Sequence, residues 1–246
     1  MDELLIFGRH PVLDALETGR SIEKIALQQG VRGDFERTIR QTAKARNIPL
    51  QVVPKERFGK WTKGNHQGVV AWLSPIEYDS LEALLPFLFD SGATPLLMLL
   101  DGVTDVRNFG AIARSAELAG VDALVIPAKN SAQITAEAIK TSAGALTKLS
   151  VCREKSLLGA VEFLKASGLR VLASKIPSEK ALYEVDLTGP VALIVGAEGE
   201  GVSDPILRAA DEHFWIPQRG TTDSFNVSVA AGIMLYEVMR QRVRLR

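Results

Sequence analysis

The sequence predicts an α/β fold built on a parallel sheet, and three observations carry that prediction. From residue 96 onward, short apolar runs alternate with helix-length segments, the rhythm of strand–helix–strand units. The runs LLMLLD (96–101), ALVIPA (123–128) and VALIVG (191–196) are almost unbroken, as befits strands covered by helices on both faces. Glycines close helical segments at Gly120 and Gly168, where a left-handed residue ends a helix without strain.

The first 74 residues read as a separate, small α/β unit. HPVLDALETG (10–19) spaces Val12, Leu13 and Leu16 as a short helix ending at Gly19. EKIALQ (23–28) alternates like a strand, DFERTIRQTAKARN (34–47) is an amphipathic helix with a basic face, and IPLQVVP (48–54) is a strand. KERFGKWT (55–62) forms a helical turn and HQGVVAWL (66–73) another strand. The stretch 75–95, bounded by proline and glycine with a helix inside, reads as a linker. The remainder, 96–246, is one domain.

Within that domain the elements follow in order. NFGAIARSAELAG (108–120) is helical, and so is TAEAIKTSAGAL (135–146), with ALVIPA between them as a strand. KLSVCR (148–153) is a short strand, SLLGAVEFLKASG (156–168) a helix and RVLASK (170–175) a strand. VALIVG leads into a glycine-rich loop, DPILRAAD (204–211) is a helix with Pro205 in its first turn, and HFWIP (213–217) is the last strand. A long, mostly apolar helix starting near Ser224 closes the series.

Composition narrows the function classes. A hydrophobic share of 46% with 24% charged residues belongs to a globular protein rather than a disordered one. One cysteine, Cys152, excludes an internal disulfide and a cysteine-rich zinc site. No apolar run reaches the roughly 18 residues of a membrane span and no signal-peptide core precedes the first unit, so a cytoplasmic protein without membrane contact is expected. Residues 1–75 hold 12 Lys and Arg against 8 Asp and Glu, a net of +4 that the rest of the chain offsets. A basic module on an acidic body fits polyanion binding, and also fits plain solvated charge.

Ligands of parallel sheets bind at the carboxyl ends of strands, and three such ends are unusual here. GAEGEG (196–201) exposes backbone amides but is neither G-x-G-x-x-G nor a Walker loop. It reads as a tight turn, or as a ligand loop in which the Glu198 carboxylate has a task. In DVRNFGAIARSAELAG (105–120), Asn108 suits a helix cap and Gly110 close packing. Arg107 and Arg114 lie two turns apart on one face, fitted for phosphate recognition or for surface ion pairs. In QRGTTDSFNVS (218–228), polar residues stand at the head of a helix apolar enough to be buried, and a cap accounts for only one of them.

Together, DGVTDVRNFGAIARSAELAGVDALVI, LIVGAEGEGVS and IPQRGTTDSFNVSVAAGIMLYE resemble the three motifs of the SpoU-type (TrmH-like) RNA ribose 2′-O-methyltransferases of the SPOUT superfamily. IFGRHPVLDAL and HQGVVA resemble the L30e-like substrate-binding domain of one branch, the bacterial large-subunit (23S) rRNA guanosine 2′-O-methyltransferases. Val106 stands where that family usually has proline, and Phe225 where leucine is common. The resemblance implies S-adenosylmethionine as cofactor, RNA as partner with rRNA first and tRNA as the alternative acceptor, no metal, a homodimer, and a deep trefoil knot in 96–246. It assigns catalysis to Arg114, Asn108, Glu198, Ser224 and Asn226, cofactor binding to Gly196, Ile216, Phe225, Ser174 and Gln218, and substrate contacts to Arg9 and Arg107. Two other readings are a non-catalytic RNA-binding relative and a Rossmann-type nucleotide enzyme. The first would lack Arg114, Asn226 or the glycine loop, all of which are present; the second needs a phosphate loop, and DGVTDVRNFG is a poor one.

Overall fold

Strand pairing in the computed structural model, which describes residues 5–243, gives two sheets in two units. One unit runs to Glu77 and includes Gln133–Ala136; the other holds Tyr78–Ala132 and Glu137 onward.

The smaller unit contains β1 (Leu5–Phe7), α1 (Arg9–Glu17), β2 (Ile22–Gln28), α2 (Asp34–Ala45), β3 (Leu50–Val53), a 3-10 turn (Lys55–Lys60) and β4 (Val69–Leu73). Its sheet runs β1-β4-β2-β3, with β2 and β3 parallel and the other pairs antiparallel. Val12, Leu16, Ile25, Leu27, Ile39 and Val69 form the core under the two helices. A second cluster of Ala26, Val53, Phe58, Val70 and Trp72 lies apart from it, so β2 and β4 are buried along nearly their whole length. The alternation expected for 23–28 is therefore absent: Glu23 is buried too, its carboxylate accepting the Ile134 amide at 3.0 Å. Strand β1 has three residues, too few to leave a period in the sequence.

The larger unit holds α3 (Leu81–Asp90), β5 (Leu96–Asp101), α4 (Val106–Leu118), β6 (Ala123–Pro127), α5 (Ala136–Thr141), β7 (Ser150–Glu154), α6 (Leu157–Ala166), β8 (Arg170–Ser174), β9 (Lys180–Ala181), β10 (Val191–Gly196), α7 (Asp204–Ala209), β11 (Glu212–Trp215) and α8 (Val227–Arg242). Every strand pair in its sheet, ordered β7-β6-β5-β10-β8-β11-β9, is parallel. All carboxyl ends therefore meet at one edge, where Gly196 aligns with Asp101 and Phe214 with Ser174. Strand β10 enters between β5 and β8, after the strands on either side are already in place.

Two segments differ from expectation. The helix expected inside 75–95 is α3, capped by Ser80, and beyond connecting, it buries Leu81, Leu85 and Leu88 in the core with Cys152 and Val161. Their apolar spacing serves this unit's own packing. The helix expected over 135–146 stops at Thr141 because α4 packs on that turn: a Cβ on Gly110 would lie 2.7 Å from the Thr141 Cβ. Ala143 and Gly144 then take left-handed conformations before a 3-10 turn at Ala145–Thr147.

The end of α8 is tied down by polar groups. Arg242 donates to the carbonyls of Leu187 (3.0 Å), Thr94 (2.8 Å), Gly189 (2.6 Å) and Pro95 (3.3 Å). Gln241 accepts from the Leu187 amide and donates to Val185 and Glu237. The buried Glu237 carboxylate takes both Arg240 nitrogens, at 2.7 and 2.8 Å. These hydrogen bonds, the Arg240 one foremost, hold the Glu237 carboxyl below its ordinary value of 4.5. A carboxyl that binds its proton less readily when folded contributes stability above its ordinary value and loses it as pH falls through the depressed one. Denaturant melts should therefore show stability dropping below about pH 4.5, with a shallower drop in Glu237→Gln; an unchanged acid limb would show that Glu237 does not contribute.

Candidate active site at the carboxyl edge of the large sheet

The loop after β10 is forced into its shape by contact. Gly196 is buried, and a Cβ there would lie 1.9 Å from the Gly201 carbonyl carbon and 2.1 Å from the Val202 nitrogen. Only glycine permits backbone to pass backbone this closely. Gly201 N–H donates to the Ala197 carbonyl at 2.9 Å, and the Ser203 amide donates to Asp101 at 2.8 Å, so the loop returns to β5. Glu198 projects from its tip.

Two helix N-termini meet Glu198. Helix α4 is capped by Asp105, whose Oδ1 accepts the Asn108 N–H at 2.8 Å. This corrects the expectation that Asn108 caps the helix and leaves its side chain free. Asn108 Nδ2 donates to Glu198 Oε2 at 3.3 Å. Helix α8 begins at Val227, later than the expected start near Ser224, and Asn226 is its cap. Asn226 Nδ2 donates to Glu198 Oε1 (3.3 Å) and to Asn108 Oδ1 (3.1 Å). Each carboxylate oxygen thus receives one neutral amide, and among the described residues no cation pairs with Glu198. The triangle is closed by neutral donors alone.

Ser228, which has no role assigned from the sequence, sets the triangle's orientation. Its Oγ donates to Asn226 Oδ1 at 2.6 Å and its N–H to the same oxygen at 3.0 Å. With Oδ1 so occupied, Nδ2 must face Asn108 and Glu198. The signal was there to find: a serine two residues after an asparagine at a helix start is a local capping pattern.

Not all the expected residues converge. Arg114 is exposed and hydrogen-bonds to none of the three; among the described residues it has no ion-pair partner. It shares its face of α4 with Arg107, whose Nε is 3.9 Å from Glu137 across a largely exposed pair that adds little. Ser224 is exposed and hydrogen-bonds to no described residue. Ser174 ends β8, and Ile216, buried, follows β11. Gln218 donates to the Asp223 carbonyl at 2.9 Å and closes the 218–223 turn. Phe225, beside the cap, is 38% exposed despite its large apolar ring. Arg9 lies in the smaller unit, its N–H donating to Gln67 Oε1 at 2.9 Å and its guanidinium over the Phe35 ring at 4.8 Å.

Known proteins bear on this arrangement. A model of the SpoU rRNA methylase family matches residues 95–236, and one for RNA 2′-O ribose methyltransferase substrate binding matches residues 5–79. A putative TrmH-family tRNA/rRNA methyltransferase of Staphylococcus haemolyticus is 34% identical over 242 residues, 98% of this chain and 97% of its own length. The AdoMet-bound rRNA methyltransferase of Sinorhizobium meliloti shares the fold, with a TM-score of 0.63 at 24% identity over 98% of this chain and 88% of that one. A solved RNA 2′-O ribose methyltransferase gives 0.56 at 27% identity, covering 96% and 88%.

The close passage at Gly196 is open to a direct check. Gly196→Ala places a methyl group inside backbone and should destabilise the protein by about 1–3 kcal/mol or more, read as a lower Tm. Gly220→Ala, where a Cβ meets nothing within 4 Å, should melt like the parent. Equal Tm values for both would mean that the loop is not pinned at Gly196.

Proposed function

The chain belongs to the SpoU rRNA methylase family, and on that premise we propose that it methylates a ribose 2′-hydroxyl of RNA, a guanosine of large-subunit (23S) rRNA being the acceptor. S-adenosylmethionine supplies the methyl group, already activated on a sulfonium. The observation that carries this reading is the Asn108–Glu198–Asn226 triangle beside the ends of β8, β10 and β11. The names of the 2′-O methyltransferase relatives support the ribose hydroxyl. The N-terminal motifs IFGRHPVLDAL and HQGVVA support the rRNA branch; a tRNA acceptor is the second reading, favoured by the joint tRNA/rRNA name of the relative above.

The residues present fit the cofactor. Ser174 and Gly196 end neighbouring strands and Ile216 follows the next one, so their main-chain groups lie at one edge of the sheet. The exposed ring of Phe225 offers an apolar face for a purine, the buried Ile216 backs the strand end from the core, and Gln218 holds the loop that carries Phe225. The unneutralised carboxylate of Glu198 favours a positively charged partner nearby.

A ribose hydroxyl is a poor nucleophile and must be oriented as it sheds its proton. A guanidinium offers donors and no acceptor, so Arg114 acts as a donor: its planar fork holds a phosphate oxygen and stabilises charge developing on the 2′-oxygen, while the hydroxyl proton passes to phosphate or water as the methyl leaves the sulfonium. Asn108, Glu198 and Asn226 fix the surface against which the nucleotide lies, Ser228 fixes Asn226, and Ser224 adds a hydroxyl at the mouth. Arg107 and Arg9 contact RNA backbone. Residues 1–74 form the RNA-binding part, and the 96–246 domain is threaded as a trefoil knot, a reading supported by the late entry of β10. Val229 and Tyr236 on α8 and Leu118 on α4 are exposed apolar side chains that support pairing as a homodimer. No helix among the described residues is long and apolar enough to cross a membrane; we place the protein in the cytoplasm.

Calorimetry should show S-adenosylmethionine binding unchanged by EDTA. Arg114→Ala should lower the single-turnover rate about 10²–10³-fold with little change in cofactor affinity, and Arg114→Lys should restore little because it lacks the fork. Ser228→Ala should lower the rate and Ser228→Thr recover it. Unchanged rates at saturating RNA in Arg114→Ala would remove that residue from the mechanism.

A further inference from the structure

The smaller unit has a polar cavity, of about 490 Å³, whose lining residues come from four neighbouring segments. The end of β2 supplies Gln28, the start of α1 supplies Arg9, the residue after Pro54 is Lys55, and the approach to β4 supplies Asn65 and Gln67. These segments meet because the sheet order β1-β4-β2-β3 brings the ends of β1, β2 and β3 and the start of β4 to one edge. Backbone bonds fix the rim: Gln28 N–H to Gly68 O at 2.8 Å, Gln29 N–H to Val53 O at 2.8 Å and Gly8 N–H to Val69 O at 3.2 Å.

Its chemistry is one-sided. Arg9, Arg32 and Lys55 line it, and none of its lining residues is Asp or Glu. Among the described residues, no carboxylate pairs with Arg32 or Lys55, and the side-chain amides of Gln28 and Asn65 hydrogen-bond to no other described residue. Gln67 sits at φ 47°, a left-handed conformation that a long side chain rarely adopts. It is kept there by donation from Arg9 N–H to its Oε1, which leaves its Nε2 to donate elsewhere. Strain held in place at the wall of a polar cavity marks a binding site more than a loop relaxed for stability.

The volume lies within the roughly 300–1,000 Å³ that pockets for small organic ligands occupy. Amides that both donate and accept suit the hydrogen-bonding edge of a base, and three cations suit the phosphates on either side of it. A paired base does not offer that edge; sequence-specific RNA recognition works on unstacked bases of loops and bulges. We propose that this cavity receives one unpaired nucleotide of the RNA substrate, its base against Gln28, Asn65 and Gln67 and its phosphates against Arg9, Arg32 and Lys55. The proposal deepens the RNA-methyltransferase reading and rests on it: the enzyme would then select its acceptor by an extruded base in the RNA, apart from the nucleotide that is methylated.

The test uses the full chain, isotopically labelled for amide NMR, titrated with each nucleoside 5′-monophosphate and, separately, with inorganic phosphate. At least one nucleotide should shift the amides of Gln28–Arg32 and Asn65–Gly68, and phosphate alone should not reproduce the pattern. The surface double variant Gln28→Ala/Asn65→Ala, with an unchanged melting temperature, should lose the shifts. It should also bind an RNA hairpin with an unpaired loop about tenfold or more weakly, and bind a fully paired duplex as before. Identical shifts with phosphate, or parent-like hairpin binding by the double variant, would overturn the pocket. Transfer of labelled methyl from S-adenosylmethionine to total RNA by the parent protein is measured alongside: its absence would sink the enzymatic reading, whereas its persistence with an unresponsive cavity would sink only the pocket.

Discussion

Glu198 is held by two side-chain amides from two different helices, and the arrangement of the carboxyl edge follows from that contact. Neither helix approaches it by accident. Asn108 reaches Glu198 because Asp105, not Asn108, takes the cap of α4. Asn226 reaches it because it is itself the cap of α8 and because Ser228 holds its oxygen turned away. The carboxylate reaches both because Gly196 lets the loop fold back on Gly201 and Val202 at backbone contact. Remove any one and the other two have no common partner.

Glu198 is held by neutral hydrogen-bond donors on both oxygens. Neutral amides orient a carboxylate without neutralising it, whereas an arginine would have cancelled its field. Rigidity comes from the far end as well. Arg242 gathers carbonyls from Thr94, Pro95, Leu187 and Gly189, so α8 is fastened at its carboxyl end to the segments that feed β5 and β10. Burial disfavours the charged form of Arg242 and shifts its pKa down, yet four carbonyl acceptors surround it, which is how a desolvated guanidinium is tolerated. Cys152, by contrast, sits in the core with its thiol pushed up to about 12, mainly by burial, and serves packing rather than chemistry.

Much of this was legible in the sequence, for identifiable reasons. The runs 96–101 and 191–196 are so uniformly apolar that only a strand covered on both faces accommodates them, and both are strands over those residues. The glycine loop announced itself through a carboxylate that a plain turn does not need. What escaped was decided by packing. The stretch 75–95 reads as a linker because proline and glycine bound it, while the leucines of the helix inside it pack with Val161 and Cys152 far along the chain. The break after Thr141 is set by contact with Gly110, which no local pattern records. At the site itself, residue types were readable, but partners were not: nothing in spacing says that Asn108 meets Asn226, 118 residues away, while Arg114 on the same helix meets neither.

Transfer to a ribose oxygen rather than to a base is the chemistry proposed for this edge of the sheet. The direct measurement is mass spectrometry of nucleosides released from RNA that the purified protein has treated with labelled S-adenosylmethionine. The label should appear on the sugar fragment of one nucleoside, at the 2′-oxygen, and that nucleoside should be guanosine. Label on a base fragment, or none on RNA at all, would contradict it.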